Sequence, residues 1–227
     1  MNHFLCKTKI VATIGPSSRS KETIKNLILA GMDVARLNFS HGSHEEHLDN
    51  INKIRAANQE LGTEIAIMLD TKGPEIRTHD FENGKVTLKK GNKVRIAMHE
   101  VLGTEEKFSV THTDLINDVE VGNILLVDDG NLTLQVLSKD YDNQELVCLI
   151  ENNATLKNRR GINVPSVKLS LPFLSEQDKK DLAFGCENEV DFVAASFVSC
   201  PEDIIEMRNF LREHGGKGIQ IIAKIEN

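Results

Sequence analysis

Ile65-Ala66-Ile67-Met68-Leu69-Asp70-Thr71-Lys72-Gly73-Pro74-Glu75-Ile76-Arg77 is the stretch whose reading decides the fold. Its first five residues are all apolar, as in a buried strand. The run then ends abruptly in a carboxylate, a hydroxyl, two cations and a Gly-Pro turn. Unpaired charge is costly to bury, so polar groups packed against the end of a buried strand have partners or a ligand. Parallel α/β folds place their chemistry at this point, just past the carboxyl ends of the strands. Taken alone, the segment equally fits a Gly-Pro turn whose Asp and Arg pair. Two further strands in the chain end the same way, and that shifts the weight toward a site.

Upstream, strand and helix alternate. Residues 8–14 are a β-branched run closed by Gly15-Pro16. Ser20 precedes a helical stretch, 21–30, with Ile24, Leu27 and Ile28 on one stripe and Gly31 at its end. Residues 33–37 form a short strand. A second helix is expected over 44–61, with Leu48, Ile51 and Ile54 in line and Gly62 closing it. With 65–69 this makes β-α-β-α-β and implies parallel crossovers.

From 72 to 168 no helical period is evident. Turn signals at Asn83-Gly84, Gly91-Asn92, Gly122-Asn123 and Asp129-Gly130 separate short strands, and Asp128-Asp129-Gly130-Asn131 reads as a hairpin tip rather than a metal loop. Alternation resumes after Pro165. Ser175 caps a helix with Glu176 and Asp178 near its positive end. Residues 191–197 are the fourth strand, Pro201 opens a helix through 211, and 219–226 are the fifth strand. The expected division is a discontinuous β/α unit, 1–71 with 169–227, around an inserted β-rich unit, 72–168.

The chain has 227 residues, 40% of them hydrophobic and 27% charged, with a net charge of −7. That suffices for a core and argues against a basic footprint for nucleic acid. No Trp and a single Tyr leave little for base stacking. No apolar core of a signal peptide follows Met1, and no run reaches the ~20 apolar residues of a membrane span. A cytoplasmic protein is expected. Cys6, Cys148, Cys186 and Cys200 lack close spacing and read as reduced, mostly buried thiols.

Arg36, Asn38 and Ser40 alternate at the end of the second strand and share a face. A guanidinium suits phosphate, and an amide and hydroxyl beside Asp70 suit an oxygen-liganded cation. Lys224 and Glu226 put an ammonium and a carboxylate on one side of the fifth strand. His41, His44 and His47 have a spacing that invites a metal. A zinc site needs converging ligands, however, and His44 and His47 beside Glu45 and Glu46 are expected on a solvated helix face. No P-loop pattern is present.

The chain resembles the N-terminal part of the pyruvate kinase family. The matching segments are TKIVATIGPSS (8–18), GMDVARLNFSHG (31–42), LDTKGPEIRT (69–78), GINVP (161–165), LSEQDKKDLAFG (174–185), 191–198 and IAKIEN (222–227). The resemblance implies an α/β fold: an incomplete TIM-type β/α barrel, its first five strands, with an all-β barrel lid inserted after the third. It implies a glycolytic transfer of the phosphoryl group of phosphoenolpyruvate to ADP, giving pyruvate and ATP. By the same resemblance Arg36 would contact the substrate phosphate. Asn38, Ser40, Asp70 and Thr71 would bind potassium, and Glu226 magnesium or manganese. Lys224 would bind substrate and stabilise the transition state. Asn38, Phe39, Ser40, His41, Arg77 and Arg160 would face the nucleotide, and a homotetramer is implied for the parent enzyme.

Arg160 stands where the family often has Lys, which keeps charge but not geometry. The family also continues past IAKIEN with three more barrel strands. The 227 residues by themselves are therefore expected to be inactive, as a piece of such an enzyme. The competing expectation is a natural short form with a binding or regulatory role.

Overall fold

A computed structural model of the chain describes residues 7–167 and 169–226. The expectations placed on residues 1–6, including the Cys6 thiol, and on Lys168 and Asn227 lie outside the described residues. The chain forms two compact units, one running to Pro74 and resuming at Phe173–Glu226, the other Glu75–Pro172.

The first unit is a sheet of five parallel strands in sequence order: β1 (Val11–Thr13), β2 (Val34–Asn38), β3 (Ala66–Asp70), β4 (Phe192–Ala195) and β5 (Gln220–Ala223). Helices α1 (Lys21–Leu29), α2 (His44–Leu61), α3 (Glu176–Glu187) and α4 (Pro201–Glu213) connect them. The fold is α/β, an incomplete β/α barrel with an inserted all-β domain.

Strand alternation sorts the side chains. Ala35, Leu37, Ile67, Leu69, Val193 and Ala195 pack with Ile24 and Ile28 of α1, Ile51 and Ile54 of α2, Leu182 of α3, and Met207 and Leu211 of α4. Each fully buried Leu or Ile here stabilises by about 1.5–3 kcal/mol. The opposite face carries a small cluster of Val34, Met68 and Ala194. Polar side chains take over on that same face toward the strand ends.

The helices start where the sequence supplies caps. The Ser20 hydroxyl accepts from the Thr23 N–H, and Ser43 with Glu46 and Ser175 with Asp178 form reciprocal boxes. Such caps contribute about 1 kcal/mol each.

In the second unit seven strands form one sheet, antiparallel except where Lys93–Ala97 runs parallel to Lys107–Ser109. Lys85–Leu88 and Ala154–Lys157 pair separately. Strands such as Lys93–Ala97 alternate exposed Lys93 and Arg95 with buried Val94 and Ile96. Ile124–Val127 and Leu132–Asp140 form the expected hairpin across Asp128–Asn131, with Asp128 and Asp129 both at φ 55°. Burial raises the Cys148 thiol to about 12, so it acts as a packed apolar group.

Two expectations need correction. The second unit does contain helix: a single turn at Leu115–Asp118 and a 3-10 turn at Glu82–Gly84. Both are too short to leave a period in the sequence. The fourth and fifth strands are also shorter than expected. β4 stops at Ala195 because Phe197 adopts φ 57°, a left-handed conformation that turns the chain out of the ladder.

Candidate active site

The carboxyl ends of β2, β3, β4 and β5 converge on Asp70. Its side chain, 3% exposed, accepts from Arg36 Nε at 2.6 Å and pairs with Arg36 Nη2 through the same oxygen, Oδ2. Oδ1 accepts from Lys224 Nζ at 3.0 Å. Arg36 extends its Nη1 to Thr13 Oγ1 on β1 at 2.7 Å. Lys224 Nζ also donates to Ser196 Oγ at 2.8 Å and lies 3.5 Å from Glu226 Oε1. The four charged groups balance, two cations against two carboxylates.

The remaining rim residues are fixed mostly by backbone. Thr71 donates its N–H to the Ala194 carbonyl at 3.0 Å, and its Oγ1 accepts from the Ser196 N–H at 3.1 Å. Asn38 Oδ1 accepts from the Ser40 N–H at 3.1 Å, and the Phe39 N–H reaches the Asp70 carbonyl at 3.0 Å. Arg36, Asn38, Ser40, Asp70, Thr71, Lys224 and Glu226 therefore occupy one end of one sheet. Phe39 is buried beneath this rim, and His41 is exposed beside it.

The turn after β3 is locked in place. Gly73 sits at φ +69°, and a Cβ there would lie 2.9 Å from Ser196 Cβ and 3.0 Å from the Ser196 carbonyl oxygen. Its N–H donates to Asp178 Oδ1 at 3.1 Å, which ties the turn to the capping box of α3.

The solvated-face expectation is overturned for His47, whereas His44 stays part-exposed. His47 is buried, and burial pushes its imidazole below the ordinary value, beyond the opposing effects of the His41 carbonyl and nearby carboxylates. His44 places Nε2 2.7 Å from Asp181 Oδ1 and stacks on Phe184 at 4.5 Å. The capping box marks where α2 begins, but which face of α2 meets α3 depends on the tertiary packing.

Among the described residues no three His, Cys, Asp or Glu side chains converge as a metal would need. The rim instead supplies oxygen donors of amide, hydroxyl, carbonyl and carboxylate type, a set suited to a hard cation. Glu226 is the carboxylate less engaged by cations. It accepts from the Phe197 N–H at 3.0 Å and meets Lys224 only through Oε1. One carboxylate completed by water is an ordinary environment for a hard cation, so the residues present are compatible with one.

A sequence model of the family described as pyruvate kinase, barrel domain, matches residues 5–227. The chain belongs to the pyruvate kinase family. Pyruvate kinases of Staphylococcus aureus strains USA300, NCTC 8325 / PS 47 and bovine RF122 / ET3-1 are each 53% identical to it over 221 residues. The match takes in 97% of this chain and 38% of the length of each relative.

Arg77 and Arg160 belong to the second unit. Arg77 ends the strand Ile76–Arg77 and Arg160 immediately precedes its partner strand Gly161–Asn163, with the Thr78 N–H donating to the Arg160 carbonyl at 2.8 Å. Arg77 Nε donates to Glu75 at 2.7 Å, and Arg160 Nη1 is 3.6 Å from Asp128 Oδ1. Within the first unit Asp70 pairs with Arg36, and within the second Arg77 pairs with Glu75.

Ser196 and Phe197 escape the sequence reading. The Ser196 hydroxyl is buried, donates to the Thr71 carbonyl at 2.6 Å and so turns its lone pairs to Lys224. A Ser ending the apolar run 192–195 was the available signal, the same kind that marks Asp70. The left-handed Phe197 that aims its N–H at Glu226 leaves no trace in residue type.

Proposed function

We propose that the whole protein transfers the phosphoryl group of phosphoenolpyruvate to ADP, giving pyruvate and ATP, as the cytoplasmic enzyme of this family. The observation that carries the reading is the Arg36–Asp70–Lys224–Glu226 cluster, in which one buried carboxylate presents two cations side by side at the ends of parallel strands. Phosphoryl transfer needs mainly positioning and positive charge around a spreading negative one.

Arg36, braced by Thr13 and Asp70, is positioned to bind the substrate phosphate. Lys224 is held from three sides by Asp70, Ser196 and Glu226, and it stabilises the charge that develops on the phosphoryl group and the departing enolate. The cluster is neutral before substrate enters, so an anionic substrate brings uncompensated charge. Bound potassium, at Asn38, Ser40, Asp70 and Thr71, and bound magnesium, at Glu226, would neutralise that charge. The oxygen-only donor set supports this assignment.

Nucleotide-facing groups are proposed in each unit by itself, Asn38, Ser40 and His41 in the first and Arg77 and Arg160 in the second; Phe39, buried on His47, would contribute only its backbone there. The second unit is proposed as the inserted lid. A homotetramer is proposed for the whole protein. Among the described residues no helix is long and apolar enough to cross a membrane.

The test is a chimera in which this segment replaces its counterpart in a Staphylococcus aureus relative. Lys224→Met should lower kcat by on the order of 10²–10³ with little change in KM. Undiminished turnover would refute the role. The 227 residues by themselves are proposed to be inactive, since among the described residues the parallel sheet has five strands and its first and last do not pair with each other. Turnover on the order of 1–1000 per second with phosphoenolpyruvate, ADP, magnesium and potassium would overturn that.

A further inference from the structure

Directly behind the rim, one residue of α2 holds the 38–41 loop at two points. The His47 ring lies flat on Phe39, with centroids 3.9 Å apart and planes 13° from parallel. Its Nε2 is 2.9 Å from the His41 carbonyl oxygen. A carbonyl only accepts, so Nε2 carries the proton and Nδ1 is the bare acceptor of a neutral imidazole. Nδ1 is buried with no partner among the described residues, so His47 meets its polar neighbours only through the loop.

The stack fixes Phe39 and the hydrogen bond fixes His41, with Ser40 between them. Gly42 completes the seat. It adopts φ +84°, and a Cβ there would lie 3.3 Å from His47 Nε2 and 3.2 Å from Glu46 Oε2. Ser40 is coupled to Asn38 through the Ser40 N–H and Asn38 Oδ1. A displacement of the loop therefore moves both oxygen-bearing side chains together.

We propose that His47 is a positioning residue that holds the 38–41 loop so that Asn38 and Ser40 present their oxygens to a monovalent cation. The cation half rests on the site reading above, and the loop-holding half does not. Ligands on a loop left to chance are too loosely placed to select an ion, and ordering them at the moment of binding costs affinity. A neutral ring buried against the loop removes most of that cost without adding a charge that would repel the cation.

Three variants of the 227-residue chain separate the contributions. His47→Phe keeps a ring on Phe39 and removes the donor. His47→Gln keeps a donor and removes the stack. His47→Ala removes both. The first readout is hydrogen exchange of the Ser40 amide, protected only while Asn38 Oδ1 stays in place. The second is potassium titration followed by chemical shifts at Asn38 and Ser40.

Ser40 exchange should speed up on the order of tenfold in His47→Phe, more in His47→Ala and less in His47→Gln, with β2 and β3 amides unchanged. Potassium affinity should fall in the same order. Ser40 exchange unchanged in both His47→Phe and His47→Ala overturns the proposal. If the variants fail to fold, ring-nitrogen shifts of the unsubstituted chain decide it: a proton on Nε2 supports the proposal and a proton on Nδ1 overturns it. If exchange follows the expected order but potassium moves no resonance, the loop-holding half stands and the cation half falls.

Discussion

Replacing Asp70 by Asn removes the single negative charge that two cations share. Asn is nearly isosteric, so packing is kept, but its Oδ1 accepts from one partner and its Nδ2 faces another donor. Removing one partner of a buried ion pair typically costs 3–5 kcal/mol. Arg36 and Lys224 have side chains 31% and 29% exposed, so water recovers part of that loss, and a net destabilisation of about 2–3 kcal/mol is expected. The assay is urea unfolding with two probes. Helices α1–α4 all lie in the first unit, so far-UV circular dichroism follows it. Tyr141, the single tyrosine of a chain without tryptophan, reports the second unit by its fluorescence. The helical midpoint should fall by about 1 M while the tyrosine transition stays in place. Lys224→Met added to Asp70→Asn should cost at least about 1 kcal/mol less than in the unsubstituted chain, because it removes one of the stranded charges. A shift below about 0.5 kcal/mol, or an equal movement of both probes, would refute the hub role of Asp70.

Gly73→Ala should destabilise the first unit by about 2–4 kcal/mol, from left-handed strain together with overlap against Ser196; a thermal melt within about 1 °C of the unsubstituted chain would contradict it. In the second unit, burial pushes the Glu145 carboxyl up, but hydrogen bonds from Lys107 and Arg95 outweigh it and hold the carboxyl below its ordinary value of 4.5. The unfolded chain therefore binds the proton first on acidification. Stability from this group is present above about pH 4.5 and is lost as pH falls through the lowered folded value. Glu145→Gln should flatten the acid limb of the Tyr141 transition, and an unchanged limb would remove Glu145 from the account.

Much of this molecule is local and therefore legible in the chain. The Ile65–Leu69 run, the caps at Ser20 and Ser175, and the Asp-Gly tip at 129–130 each act over a few residues, so the main elements and their order follow from residue types alone. Alternation in 36–40 and in 224–226 likewise places Arg36 with Asn38, and Lys224 with Glu226, before any tertiary contact is known. Partners are a different matter. That Asp70 pairs with Arg36 and Lys224 depends on which strands become neighbours, and residues 34 and 154 positions away cannot be chosen by local rules. His47 is polar and stands beside two glutamates, so its sequence environment points to solvent, yet packing of α2 buries it on Phe39. Ser196 and Phe197 matter only because the chain turns sharply after β4 and aims a hydroxyl and an N–H at the rim. The sequence by itself determined the main strands and helices of the first unit, their order and which strand ends carry charge, because these depend on short-range periodicity and sterics, while single helical turns and exact strand ends left no such signal. Tertiary structure alone decided which charges meet and which ring holds the loop, because those depend on long-range pairing and on the desolvation that comes with it.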